Sequence, residues 1–237
     1  MEPVRSNDNV YGTAPGAVLG RTLAPEAQRV LRNTYMLLAL TMVPTVAGAW
    51  LGMSTASIIT GSPIISFFVM LAAVIGLQFG IAHFRNSAIG IGLLLLMTGL
   101  LGWFLGPLLN YALALKNGMQ LVGYAAAGTG AVFVTMGAIA TITKRDFSFL
   151  GKFLFVGMIV ALIAMIANLF LQVPVLGLVI SSVVIVVFSL FLLYDMSRIV
   201  TGGETNYVMA TTGVYLSLFN IFANLLQLLM ALSGERD

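Results

Sequence analysis

Polar residues punctuate this chain at intervals that leave seven long apolar stretches. They run roughly from 33 to 53, 61 to 82, 87 to 109, 119 to 142, 150 to 172, 175 to 199 and 207 to 232. At ~1.5 Å per helical residue, each can cross ~30 Å of hydrocarbon. Lipid offers no partners to backbone N–H and C=O groups, so a spanning segment must satisfy them internally. A barrel would show alternating segments of ~10 residues, and none are present. The pattern therefore predicts an all-α integral membrane protein with seven transmembrane helices.

Composition strengthens that reading. Apolar residues make up 59% of the 237 residues and charged ones 8%, with a mean hydropathy of +1.04, more than a soluble core requires. The net charge of +3 does not point to nucleic acid, because the cations flank membrane spans. With no cysteine, the chain has no disulfide, thiol nucleophile or thiolate metal site. Nothing calls for a cofactor.

Residues 1–30 are rich in Pro and Gly and have no apolar core of a secretory leader. They are expected to form a flexible N-terminal tail ahead of a membrane domain over 31–237. Arg5, Arg21, Arg29, Arg32, Arg85, Lys144, Arg145, Lys152 and Arg198 fall on one side of the alternating connections; only Lys116 and Arg236 fall on the other. By the positive-inside rule the N-terminus is cytoplasmic, and seven crossings put the C-terminus on the far, periplasmic side.

Helices in lipid associate through close packing and polar contacts. The third span offers Thr98, Gly102, Gly106 and Asn110, the first Gly48 and Gly52, the second Gly76 and Gly80. These read as packing seams. The seventh carries Asn206, Ala210, Gly213, Ser217, Asn220, Asn224 and Gln227 at a 4-3-4-3-4-3 spacing, which is one helical face. Such a stripe should face other helices or water, as a hydrogen-bonded seam or as the lining of a polar pathway.

Asp195 is the one formally charged residue well inside a span. An ionised Asp at a helix centre costs about 2.5–3.5 kcal/mol on insertion scales, and less near an end. Desolvation and the negative end of the helix dipole disfavour its anion; Arg198 at i+3 favours it. It reads either as the interfacial partner of Arg198 or as a proton- or cation-responsive group facing Ser217 and Asn220. His83, the single histidine, sits at a membrane border, and no Gly-x-Ser-x-Gly accompanies it. Gly128-Thr129-Gly130 lies inside a span and is no dinucleotide loop. Gly202-Gly203 should end span six, with Thr205 or Asn206 capping span seven. No catalytic or metal-ligating set emerges.

Four motifs occur in order: Arg32-Asn33-Thr34-Tyr35, the run from Lys144 to Gly151 (KRDFSFLG), the run from Gly202 to Tyr207 (GGETNY), and the run from Tyr215 to Phe222 (YLSLFNIF). Together they resemble the Bax inhibitor-1 family, and within it the bacterial YccA branch, from about Leu31 to the C-terminus. The resemblance implies a seven-helix fold with the last helix enclosed by the other six. For the YccA branch it implies a non-enzymatic inner-membrane partner of the membrane AAA protease FtsH, which the protein binds and modulates. For other members it implies a pH-sensitive calcium leak gated by two aspartates and a basic partner on span two. Asp195 matches the first aspartate. Ser217 stands where the second is expected, and span two has no Lys or Arg between Ile64 and Ala82. The paired-carboxylate latch is thus incomplete here.

Overall fold

The computed structural model describes residues 23–234. Its helices are α1 (Pro25–Ser54), α2 (Ala56–Thr60), α3 (Pro63–His83), α4 (Ala88–Leu113), α5 (Gly118–Thr143), α6 (Leu150–Leu171), α7 (Pro174–Thr201) and α8 (Tyr207–Gly234). Seven of them, all but α2, are long and apolar enough to cross a membrane. Pro25, Pro63 and Pro174 open their helices, where a missing N–H costs nothing. Left-handed residues Lys144, Gln172 and Gly202 close α5, α6 and α7. α1 starts earlier than the apolar stretch, so residues 25–30 of the expected tail are helical. Residues 1–22 lie outside the described residues.

The bundle has a basic end and an opposite end. At the basic end Asn206 Nδ2 donates to Arg85 O (3.0 Å) and Asn86 Oδ1 (2.8 Å), tying the α7–α8 connection to the α3–α4 connection. Asn206 Oδ1 accepts from the Val208 and Met209 N–H groups, so Asn206, not Thr205, caps α8. Buried Ser197 of α7 clamps the α5–α6 loop: its Oγ donates to Arg145 O (2.9 Å) and accepts from Phe147 N–H (3.0 Å). In that loop Asp146 Oδ1 accepts from Ser148 N–H at 2.8 Å. Hydrogen bonds from the Ser148 side chain and N–H hold the Asp146 carboxyl below its usual range. The ordering this carboxylate provides is present above the unfolded value and lost as pH falls through the lowered one. Ser197→Ala removes a donor and an acceptor from a buried site, and is expected to cost about 1–3 kcal/mol. A lower unfolding midpoint and faster proteolysis at 144–149 would register it.

α1 and α4 form the closest pair. Their contacts ascend together in number, so they run parallel. A Cβ on Gly48 would overlap Gly99 O, one on Gly52 would overlap Trp103 O, one on Gly102 would overlap Thr45 O, and one on Gly106 would overlap the Gly52 backbone. Asn110 Nδ2 donates to Met53 O (2.7 Å) and Trp103 Nε1 to Thr55 Oγ1 (2.7 Å) at the far end. The small-residue seam expected on the first and third spans is therefore formed, helix backbone against helix backbone. Gly80 fits the expectation less closely, since a Cβ there would reach only the Leu93 side chain at 3.0 Å. Gly76 departs from it: it is exposed, with nothing within 4 Å of a Cβ. Its small-xxx-small spacing reflects a Gly-rich span with no helix on that face.

α8 packs on α7, α5, α1 and α4 and touches α3, whereas α6 leans chiefly on α7. Of Tyr207–Ser233 only Gln227 and Leu232 are exposed. The main core gathers Leu94, Met97, Leu192, Met196, Ile199, Val214, Tyr215 and Ile221 around α8 at the basic end and middle; a smaller one joins Leu121, Ala125, Leu226 and Met230 at the opposite end.

Candidate functional site

α7 delivers Asp195 to the face of α8. The carboxyl lies directly against Gly213: a Cβ there would stand 2.7 Å from Oδ2 and 3.1 Å from Oδ1. The absence of a side chain at Gly213 is what admits the carboxyl. Asp195 is partly buried. Among the described residues no hydrogen-bond donor or cation lies within bonding distance of it.

The pairing of Asp195 with Arg198 is not formed. Arg198 Nη2 instead bonds Glu204 Oε2 (3.2 Å) and Gly203 O (3.2 Å), with its guanidinium 5.5 Å from the centre of the Tyr194 ring. The reason is local. Arg198 occupies the last turn of α7, where the long side chain reaches the outgoing connection, and Glu204 is itself fixed by accepting from Asn206 N–H (3.0 Å).

The remaining stripe residues fall into a second place. Ser217 is buried one turn beyond Gly213. Asn220 and Asn224 each donate to the carbonyl one turn back, Leu216 O and Asn220 O, both at 2.9 Å. They keep other polar atoms for a cleft of about 420 Å3 between α3, α6, α7 and α8. That cleft is lined by Asn220, Asn224, Gln227, Ser181, Asn168 and Gln172, with Phe67 and Met165 on its apolar side. Ser181 Oγ donates to Gln227 Oε1 at 3.3 Å. Along the stripe, Ala210, Gly213 and Ser217 are packed or face Asp195, whereas Asn220, Asn224 and Gln227 line the cleft. Asp195 meets the stripe at Gly213, and Ser217 and Asn220 continue away from it toward the opposite end.

Sequence reasoning did not single out Tyr215. Its hydroxyl bridges Thr45 Oγ1 (2.8 Å) and Thr98 O (3.3 Å), fixing α8 to both α1 and α4. The signal was the Thr211, Tyr215, Phe219 spacing, a second polar-aromatic line on the other side of α8. His83 is exposed at the end of α3, edge-on to Phe84. Among the described residues no group of His, Asp or Glu could hold a metal ion.

The family model described as "Inhibitor of apoptosis-promoting Bax1" matches residues 27–234. A Vibrio cholerae relative described as an uncharacterized membrane protein is 42% identical over 211 residues, 89% of this chain and 92% of its own length. An Escherichia coli K12 relative named "Modulator of FtsH protease YccA" is 41% identical over 209 residues, 88% and 93% of the two chains. The same coverage and identity hold for "Inner membrane protein YccA" of another Escherichia coli strain.

Proposed function

This chain belongs to the Bax inhibitor-1 family, and on that premise we propose that it binds and modulates an FtsH-type membrane protease, limiting proteolysis of membrane proteins without catalysing a reaction itself. The observation that carries this reading is the identity, over nearly the full length of both chains, to a relative named as a modulator of FtsH. In this reading the protein sits in the bacterial inner membrane with its basic end in the cytoplasm, its N-terminus there and its C-terminus periplasmic. The grouping of Arg29, Arg32, Arg85, Lys144, Arg145, Lys152 and Arg198 at one end supports that orientation. The last helix is the enclosed one. What supports this is the rarity of exposed residues on α8 and its packing on α1, α4, α5 and α7. A tightly packed bundle is also suited to resisting a protease that must extract its substrates.

The reading is tested by chasing an unstable membrane substrate of FtsH in cells with and without overproduction of this chain, alongside co-purification in mild detergent. A lengthened substrate half-life with co-purification is expected. An unchanged half-life with no association would remove it.

The second reading is a pH-sensitive calcium or other cation leak. Asp195 against Gly213, with Arg198 engaged by Glu204, and the carboxamide-lined cleft beyond favour it. The single carboxylate weighs against a shared-proton latch, since Ser217 holds the second position.

A further inference from the structure

The opposite end carries a second groove, of about 510 Å3, between the α4–α5 connection and the last turns of α8. Its chemistry differs from that of the carboxamide cleft. Lys116 stands at its mouth and is exposed. Its walls are apolar: Leu121 below, Leu229 and Leu232 on α8. Tyr124, 61% exposed, lies two turns into α5, about 9 Å below the start of that helix at ~1.5 Å per residue. The rim is closed by Asn117 Nδ2 donating to Ser233 Oγ at 2.6 Å, which fixes the width of the groove.

We propose that this groove binds one anionic phospholipid of the adjoining leaflet, its phosphate at Lys116 and an acyl chain along Leu121, Leu229 and Leu232. Position argues for a lipid rather than a soluble anion. The groove opens at a helix end where a bilayer places its headgroups, and Tyr124 has the amphipathic ring favoured at that depth. Charge argues for an anionic one. Among the described residues Lys116 is the one Lys or Arg at this end of the bundle, and it stands at the groove. The Asn117–Ser233 tie separates this from ordinary lipid contact: it joins the start of α5 to the end of α8 across a leucine-lined recess. The proposal stands independently of the protease reading.

The test uses the full chain, purified in mild detergent and delipidated, then titrated with phosphatidylglycerol or phosphatidylethanolamine and read by native mass spectrometry. Phosphatidylglycerol is expected to be retained about fivefold better than phosphatidylethanolamine, the discrimination available from one cation near the headgroups. Lys116→Gln should abolish that preference and Lys116→Arg should keep it. Lys152→Gln, at the basic end, should leave it unchanged. Equal unfolding midpoints of these variants without lipid would show that folding is not the cause. A preference that survives in Lys116→Gln overturns the proposal, and so does its displacement by millimolar inorganic phosphate, which would mark a free-anion site.

Discussion

Gly106→Ala is expected to destabilise the bundle by about 1–3 kcal/mol, the range for forcing a methyl into a filled site. The sign runs against local propensity, since Gly to Ala in a helix interior normally gains about 0.5–1 kcal/mol. Packing decides, because the new Cβ would meet Gly52 and Met53 backbone atoms, and backbone cannot rotate aside as a side chain can. Gly123→Ala and Gly130→Ala are the controls: both lie in α5 with nothing within 4 Å of the added carbon, and should be neutral or slightly stabilising. Unfolding midpoints of the three variants in one detergent check this. Similar behaviour of all three would mean that α1 and α4 are not in backbone contact.

Gly213→Ala should show an effect that depends on Asp195. The added methyl would stand 2.7 Å from Oδ2, so the carboxyl has to swing away from α8. In the Asp195→Ala background the space is vacant and the same change should be tolerated. A double-mutant cycle is expected to return a coupling of about 0.5–3 kcal/mol, the range for residues in contact. Additive effects would place Asp195 elsewhere. Function separates along the same line. If the proposed modulation of an FtsH-type protease holds, Asp195→Asn should leave it intact; the substitution should change calcium flux in liposomes only if the chain conducts. A flux insensitive to both pH and this substitution would eliminate Asp195 as a gate.

The spans were legible because hydropathy reports membrane thickness directly. Helix ends were less so: Glu26, Gln28 and Arg29 extend α1 beyond the apolar region, where lipid no longer selects composition. The five-residue α2 has no periodicity to reveal it. Seams were legible only as candidates. Gly102 and Gly76 look alike in sequence, and only the neighbouring helix distinguishes them. The same limit applies to charge. Asp195 and Arg198 at i and i+3 left a pair as one of two readings, and whether a long cation turns back or forward depends on what the next connection offers, here Glu204. The stripe on α8 was visible as one face; that it splits into a seam and a cleft wall is set by where α3, α6 and α7 diverge. In the sequence Lys116 stands out only as an exception to the charge asymmetry, because Leu229 and Leu232, which share its groove, come from the other end of the chain.

The parallel course of α1 and α4 has a mechanical side. A pull on α1 from its Pro25 end runs along the contact line, so the Gly48, Gly52, Gly102 and Gly106 contacts and the Asn110 and Trp103 hydrogen bonds bear load simultaneously. Shear of this kind resists force better than peeling, in which contacts yield one after another. Optical-trap extraction should therefore show a higher rupture force when the chain is drawn from α1 than when it is drawn from the α6–α7 connection, where α6 has chiefly α7 to hold it. Direction of pull, and not only depth of the energy well, then sets how hard this bundle is to unravel.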